Sequence, residues 1–531
     1  MNKNQKDLTF EDKLWQAADK LRARGGIEPS EYKNIVLGLV FLKYISDSFE
    51  KRKRFLELAV ADENIKDEEG NNYYVPQQEL RKFVIEDKSQ YGGYGFFYVP
   101  PKARWEYLLQ NINSPELGKI IDRAMEIIEE ENPKRLRGIL PKNYAASRVP
   151  ANILGELIKL FSEIDFQKEE EDKDIIGRVY EYFLGKFADS EGKRGGEFYT
   201  PRSIVKLLVE ILEPFEGCRV FDPACGSGGM FVQSQQFLKI HHKNPNDISF
   251  YGQEIKENTW RLAQMNLAIR QIEGDLKVGD SFHDDKFLNQ RFDIVISNPP
   301  FNVSEWGADK ISPYDPRIKY GLPPDGNANF MWIQHFAYHL SPDGIAGFVM
   351  ANGALAVSGK EGEIRKRIIE DDLVDVIIAC PPKLFYNVSL PVSLWFLTKN
   401  KANKRFKERR GKTLFIDARE IYEPISRKQY TFTDEQIQRI AGTVRAWRGE
   451  EGAGNYEDIP GFCKSTTIEE IRKNGYVLTP GRYVGVAPEP DDGIPFEEKL
   501  KKLTGELRQY FEEGKKLEKQ ILENLEKLKS K

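Results

Sequence analysis

Near the middle of the chain, residues Val220–Gly229 read VFDPACGSGG. The apolar pair at the start predicts a short buried strand that ends at Asp222, and the glycines predict a tight turn into a helix. Glycine lets the backbone approach a ligand without a Cβ in the way, and a helix N-terminus offers free N–H groups. Such a strand–loop–helix unit is typical of a doubly wound α/β sheet, which binds its ligand beyond the strand ends.

The glycine spacing is not that of the dinucleotide-binding fingerprint, because the third spaced glycine is missing after Gly226 and Gly228. Asp222 at the strand end suits a cofactor with a positively charged amino group better than one with a pyrophosphate, although a structural turn explains the glycines alone nearly as well. Glu254 ends the next predicted strand and suits the two hydroxyls of a ribose, with a surface acid as the alternative. Asp280 follows a further strand and suits either an adenine amino group or a simple turn.

A second motif, Asn298-Pro299-Pro300-Phe301, follows the predicted strand 292–296. Two prolines fix the backbone and restrict the residue before them. The carboxamide of Asn298 and the carbonyl of Pro299 can then accept both N–H bonds of one planar amino group and draw its nitrogen towards sp³ character. Its lone pair can attack a sulfonium methyl while Phe301 stacks on the flat base. This chemistry requires neither a metal nor a covalent nucleophile.

Short apolar runs alternate with helical stretches from about residue 174 to 418, which predicts a parallel sheet wrapped by helices. The final run follows only a short loop and is therefore expected to be an antiparallel edge strand. We expect four parts: a mainly helical domain at 1–165, a Rossmann-like catalytic α/β domain at 166–420, an extension at 421–494 and an amphipathic helix at 495–531. The predicted strands are 220–221, 248–251, 292–297, 345–351, 374–379 and 392–398.

Composition narrows the class of protein. Of 531 residues, 40% are hydrophobic and 31% charged, with no apolar run near the ~20 residues of a membrane helix and no apolar signal segment at the start. A cytoplasmic protein without a membrane partner is therefore expected. The four cysteines are scattered, which argues against disulfides and zinc sites. His335 and His339 stand four residues apart without the usual glutamate, so we interpret them as structural and expect no metal.

The net charge of −4 is unusual for an autonomous DNA-binding protein, which normally carries a strong positive bias. Either the basic surface is confined to a small region, or a partner protein supplies much of the binding to DNA. A basic cluster between Lys399 and Lys412 suits phosphate contacts or a solvated loop about equally. An apolar stripe on the C-terminal helix predicts a partner surface; it comprises Leu500, Leu503, Leu507, Phe511, Leu517, Ile521 and Leu525.

With both motifs in place, the chain resembles the modification subunit of type I restriction-modification systems, within the N6-adenine DNA methyltransferases. Both motifs occur in the family's order, and the resemblance extends roughly from Leu14 to Gly485. Further matching segments are Leu14-Trp15, 41–44, 174–183, 196–202 and 476–484. The resemblance implies S-adenosylmethionine as methyl donor and adenine in DNA as acceptor.

The family's roles carry over residue by residue. Asp222 is expected to bind the amino acid part of S-adenosylmethionine, Glu254 the ribose, and Asn298, Pro299 and Phe301 a flipped adenine. Two further sets are expected at the cofactor: Ser227, Gly228 and Gly229 around its amino acid part, and Glu197, Phe198, Tyr199, Thr200, Pro201 and Arg202 along its length, with Thr200 near the methionine end.

The family also implies partners. Its members carry no sequence-reading domain of their own; two methylating chains join one specificity subunit on DNA, and a restriction subunit can join them. Alternatives are a methyltransferase acting on a protein glutamine or on RNA, and a binding module that keeps the fold without catalysis. A fused restriction enzyme is not expected, since the first 170 residues contain no nuclease motif.

Overall fold

A computed structural model describes residues 10–67, 69–163, 175–191, 200–385, 391–426, 429–486 and 496–529. The chain consists of two compact units, residues 1–484 (unit 1) and residues 485–531 (unit 2). The three boundaries between the four predicted parts stay a prediction.

The first part of unit 1 is helical, as predicted. Its centre is α2 (Pro29–Ala59), whose residues between Ile35 and Ile45 are nearly all buried. Their core continues into residues of α12, a helix of the α/β part. Tyr44 donates a hydrogen bond from its hydroxyl to the carbonyl of Ile269 over 2.8 Å, which ties the two parts together. The helices are α1 (Phe10–Gly25), α2 (Pro29–Ala59), α3 (Gln78–Ile85), α4 (Ser89–Gly92), α5 (Trp105–Gln110), α6 (Leu117–Glu131), α7 (Pro133–Leu136), α8 (Ala151–Ser162), α9 (Ile175–Glu191) and, later in the chain, α12 (Glu257–Ile269).

The α/β part contains a nine-stranded sheet in the order β11-β8-β6-β7-β5-β4-β1-β2-β3. Seven strands run in one direction, while β7 and β11 run against it. The strands are β1 (Arg219–Asp222), β2 (Ser249–Glu254), β3 (Gly274–Val278), β4 (Phe292–Ser297), β5 (Leu340–Ala351), β6 (Val374–Ala379), β7 (Val392–Thr398), β8 (Lys412–Asp417) and β11 (Cys463–Thr467).

The prediction for the last run is half wrong. β7 is antiparallel, but it lies between β5 and β6 rather than at an edge. All seven of its residues are buried, because side chains of both faces meet apolar layers. The predicted α/β class is otherwise confirmed, and helices flank the sheet: α10 (Arg202–Leu212), α11 (Gly229–Ile240), α13 (Asn329–His339), α14 (Gly359–Glu370), α15 (Asp434–Arg448) and α16 (Ile468–Lys473). A separate hairpin joins β9 (Glu423–Ser426) and β10 (Gln429–Thr431).

The basic cluster at 399–412 has an exposed and a buried part: Lys404, Arg405, Lys407 and Arg410 are exposed, whereas Lys401 and Arg409 are buried. The Arg409 side chain is almost fully buried and pairs with Asp375, which also receives Arg448. Lys401 is equally buried and donates to Asp372 over 2.6 Å. Burial disfavours the carboxylate of Asp375, but the surrounding positive charges outweigh it and lower its pKa. Lys401 and Arg409 neutralise interior acids and are not available to phosphates. Phosphate contact by the exposed members of the cluster stays a prediction.

Unit 2 contains one long helix, α17 (Phe496–Lys529). The predicted apolar stripe lies on it, and each of its seven members is at least half exposed. Within the described chain, none of the helices combines the length and apolar character needed to cross a bilayer.

Candidate functional site

The sheet brings the predicted site residues to one edge. β1 lies between β4 and β2, and all three are parallel. Their carboxyl ends therefore meet, which places Asp222, Glu254 and Asn298 at the tips of three neighbouring strands. The sequence motifs, separated by up to 76 residues, converge in space as the doubly wound topology requires.

The glycine-rich loop is held by the two predicted acids. Asp222 accepts a hydrogen bond from the Ala224 N–H over 3.0 Å, and Glu254 accepts one from the Gly226 N–H over 3.1 Å. Gly228 has φ of 78°, and a Cβ there would lie 2.7 Å from a methyl carbon of Leu267. The backbone conformation therefore favours glycine at this position, and a Cβ would also require the Leu267 side chain to move.

Asp222 is fully buried and accepts a hydrogen bond from a neighbouring hydroxyl. The Ser297 hydroxyl donates to its carboxylate over 2.7 Å. Burial raises the pKa of Asp222 to about 7, and the nearby negative charge of Glu254 adds to the shift while the hydrogen bonds oppose it. A buried carboxylate in this state is stabilised by a cationic ligand, which is the property the sequence predicted for it.

Two cavities meet at the loop. The larger, about 580 Å³, reaches Glu254, Asp280 and Asn298. The smaller, about 70 Å³, reaches Asp222, Thr200 and Asn298. They share four lining residues, which are Ala224, Gly226, Ser227 and Asn298.

The far end of the larger cavity is aromatic and carries a polar pair. Phe282 lies 4.3 Å from Trp332 and 5.4 Å from Trp306, measured between ring centroids. Asp280 accepts a hydrogen bond from His283 Nδ1 over 2.9 Å and one from the Phe282 N–H over 2.8 Å. Burial opposes the charge of His283, but the hydrogen bonds to Asp280 and to the Gly307 carbonyl raise its pKa.

Asn298 is oriented by Thr200. Its side-chain nitrogen donates to the Thr200 hydroxyl over 2.9 Å, while its Oδ1 is buried and has no hydrogen-bond partner among the described residues. Trp332 Nε1 is likewise buried without a partner in the described chain. Buried polar groups are normally paired, so an acceptor and a donor left open in one cavity indicate a ligand.

The remaining residues of the second motif differ in whether they line a cavity. Pro299 and Pro300 line the larger cavity together with Asn298. Phe301 is half-buried and packs against the apolar cores on both sides of the sheet, and it lines neither cavity. Its predicted stacking on a base stays a prediction.

The predicted cofactor-binding segment at 197–202 is described only in part. Glu197, Phe198 and Tyr199 lie outside the described residues. Thr200 and Arg202 line the smaller cavity, and Pro201 precedes the first residue of α10. Among the loop residues, Ser227 and Gly229 line the smaller cavity, and the Ser227 carbonyl accepts a hydrogen bond from Asn266 over 2.8 Å.

The sequence did not predict the cavity-lining residues that come from the helical part or the one indole at the aromatic end. Lys33 of α2 and Leu184 of α9 line the larger cavity. Their sequence surroundings are ordinary helix faces, so no local pattern marks them. Trp332 lies in α13, a helix whose residues are nearly all buried, and only its indole N–H could have signalled a polar role.

The histidine pair has an acidic neighbour that the sequence interpretation did not find. Asp285 accepts from His339 Nε2 over 2.9 Å and lies near His335. Arg317 Nη1 lies 3.5 Å from His335 Nδ1 and donates to the Ser281 carbonyl over 2.7 Å. Burial lowers the pKa of His335 well below its ordinary value, and the charges of His339 and Arg317 add to this. Since the Arg317 guanidinium also donates to the Phe282 carbonyl over 2.6 Å, it anchors the loop beside Asp280.

Comparisons with known proteins agree with this geometry. Residues 171–492 match the N-6 DNA Methylase family, and residues 10–161 match the HsdM N-terminal domain. The chain belongs to the N-6 DNA methylases. Within that family it is a type I restriction enzyme methylase subunit, and the predicted activity, adenine-specific DNA methylation, is confirmed at the level of the family.

Relatives extend over nearly the whole chain. The MjaIX methylase subunit of Methanocaldococcus jannaschii is 49% identical over 98% of this chain and 91% of its own length. The HindI methylase subunit of Haemophilus influenzae is 44% identical over 80% of this chain and 99% of its own. The crystal structure of a type I methyltransferase subunit from Streptococcus thermophilus has a TM-score of 0.72 at 27% identity, covering 90% of this chain and 99% of that one.

Proposed function

We propose that this methylase subunit transfers a methyl group from S-adenosylmethionine to the N6 amine of an adenine flipped out of duplex DNA, at a site chosen by a separate specificity subunit. The observation that carries the proposal is the open acceptor Asn298 Oδ1. It lies at the junction of two cavities, one beside a buried acid and one lined by aromatic rings.

The residues present fit S-adenosylmethionine. Asp222 suits its ammonium group, since burial leaves the carboxylate in need of a cation. Glu254 suits the ribose hydroxyls, and the rings of Phe282 and Trp332 suit the adenine. Asp280 is already engaged by His283 and Phe282, so we assign it to holding this end of the cavity together as well as to the adenine amine.

The chain's own contribution to the chemistry is to orient the acceptor amine. When bound, S-adenosylmethionine supplies a methyl carbon on a positively charged sulfur, which keeps the electrons of the broken C–S bond. Asn298 Oδ1 and the Pro299 carbonyl accept the two N–H bonds of the adenine amine, so its lone pair turns towards that carbon. The nitrogen forms the new N–C bond and releases one proton to solvent. Thr200 fixes the amide so that oxygen, and not nitrogen, faces the amine.

The larger cavity has room for more than one ligand group. At about 580 Å³ it is of the size of sites that enclose drug-sized ligands. An adenine inside a duplex cannot reach Asn298, so the base must leave the stack. Lys33 and Leu184, which come from the helical part, line the same cavity and are placed to limit the access of water to the base.

Partners follow from the family and from the apolar stripe that α17 exposes. Phosphate contacts alone carry no sequence information, so a specificity subunit must read the bases. We propose that two copies of this chain join one specificity subunit in the cytoplasm and that a restriction subunit completes the assembly. The exposed stripe of α17 is the proposed docking surface for the specificity subunit.

Transfer of tritiated methyl groups tests the proposal directly. The chain, assembled with the specificity subunit, is offered duplex DNA, RNA and protein, and the labelled nucleoside is identified after digestion. Label in N6-methyladenine of DNA is expected. Label in protein glutamine or in RNA would overturn the proposed substrate, and cofactor binding without transfer to any acceptor would favour a non-catalytic binding module.

A further inference from the structure

A second cleft lies between the helical part and the α/β part. It measures about 290 Å³, and its walls come from α2, from residues 139–143 and from the first turns of α12. Leu262 of α12 lines this cleft and also the larger cavity of the catalytic site. The cleft and the catalytic cavity therefore adjoin at this residue.

The lining is rich in hydrogen-bond donors. Its polar members are Asn34, Lys142, Asn143, Asn258 and Arg261, and no carboxylate occurs among the described residues that line it. The catalytic cavity differs in this respect, because Glu254, Asp280 and Glu305 line it. Asn258 lies in the first turn of α12, where the helix dipole adds partial positive charge.

Several of these donors are unused. Arg261 pairs through Nη2 with Glu257 over 2.6 Å, but its Nε is buried and has no partner among the described residues. The side-chain amides of Asn34, Asn143 and Asn258 likewise make no hydrogen bond to any residue that the structure describes. By contrast, Lys142 is already bonded to Glu129 over 2.7 Å.

We propose that this second cleft binds a phosphate of the DNA backbone beside the flipped adenine, with Arg261, Asn34, Asn143 and Asn258 as donors. The inference rests on the proposed function, because it needs the base in the adjoining cavity. Phosphodiester oxygens accept hydrogen bonds from guanidinium and amide groups, and such contacts fix the register of a protein on DNA. Such a contact is local, so it does not depend on the net charge of the chain, which is −4.

DNA binding by the chain assembled with its specificity subunit tests the inference. Asn143→Asp and Asn258→Asp place a negative charge at exposed positions of the cleft and are each expected to weaken affinity for a duplex with the recognition site at least tenfold. The matched control is Gln110→Glu, the same change on the exposed end of α5 outside the cleft. Arg261→Gln should lower the slope of log affinity against log salt by about one, whereas Arg261→Lys should restore most of it.

DNA in which single phosphates are replaced by an uncharged group tests whether the ligand is a backbone phosphate. Methylphosphonate in place of each phosphate that flanks the target adenine should weaken binding of the wild-type assembly, and one position should cause no further loss in Arg261→Gln. Equal affinity and equal salt slope of all variants would overturn the inference while leaving methylation intact. Loss of assembly with the specificity subunit, without loss of DNA affinity in assembled samples, would assign the cleft to protein binding. An assembly that fails to methylate DNA at all would overturn the proposed function instead.

Discussion

The Thr200 hydroxyl accepts a hydrogen bond from the side-chain nitrogen of Asn298 over 2.9 Å. These two residues come from different motifs, 98 positions apart, and meet where both cavities join. Without this bond the amide can turn over and present nitrogen, a donor, to an amine that needs an acceptor.

Thr200→Val should therefore lower the rate of methyl transfer while leaving the cofactor's affinity close to that of the wild type. A lost orienting hydrogen bond contributes about 1 kcal/mol, which corresponds to roughly a fivefold to tenfold lower rate. Single-turnover transfer and calorimetry measure the two quantities separately. Thr200→Ser keeps the hydroxyl and should restore the rate; a serine variant as slow as the valine variant would show that the methyl group, and not the hydrogen bond, matters.

Asn298→Ala should abolish methyl transfer and leave cofactor binding largely intact. The side chain provides the open acceptor of the site, and the Asp222 and Glu254 carboxylates remain in place without it. Equilibrium dialysis with S-adenosylmethionine beside a tritium transfer assay tests both halves. Turnover near the wild-type rate would contradict the assigned role.

Much of this site was predictable because strand ends in a doubly wound sheet meet at one edge. Asp222, Glu254 and Asn298 each stand at the end of a strand that the apolar pattern predicts. Because the three strands are parallel neighbours, their ends lie side by side. The central position of β7 was not predictable from its short preceding loop, because sheet order depends on which faces pack together. Lys33, Trp332 and the anchoring Arg317 come from distant segments whose local patterns are those of ordinary core and helix.

Cofactor affinity should depend on pH through Asp222. Its pKa is about 7 in the free protein, so below pH 7 the carboxyl is protonated and cannot pair with an ammonium group. Affinity should fall by up to about tenfold per pH unit below 7. Because this pKa lies above the ordinary value of 3.8, the same group makes the free protein less stable as pH rises from about 4 to 7.

Calorimetry and thermal unfolding from pH 5.5 to 8 check the two trends. Asp222→Asn removes the titrating group and should flatten both, with an affinity about 1–3 kcal/mol weaker at pH 8. If the asparagine variant keeps the wild-type pH dependence, another group is responsible.

Trp332→Phe should weaken cofactor binding without changing the shape of the aromatic end. The phenyl ring preserves most of the contact with Phe282, but the open indole donor disappears. A lost hydrogen bond of about 1 kcal/mol predicts roughly a fivefold lower affinity. Trp306→Phe is the matched control, since the Trp306 indole already donates to the Pro324 carbonyl over 3.0 Å. Its loss should affect thermal stability more than affinity, and an opposite ranking of the two variants would remove Trp332 from the binding site.

Removal of residues 495–531 should reduce assembly with the specificity subunit and leave cofactor affinity unchanged. The apolar side chains of α17 are exposed, and an amphipathic helix of this length buries such a stripe against a partner. Leu503→Asp with Leu507→Asp tests the same face within the intact chain, and Glu513→Lys with Lys516→Glu provides a control at exposed polar positions of the same helix.

Size-exclusion chromatography with the specificity subunit measures assembly, and methylation of a defined duplex measures its consequence. The truncated chain should bind S-adenosylmethionine as tightly as the full chain but methylate the site poorly, because it no longer meets the subunit that reads the bases. Full assembly of the truncated chain would exclude the helix as the docking surface, and efficient site-specific methylation by the isolated full chain would exclude the need for a partner.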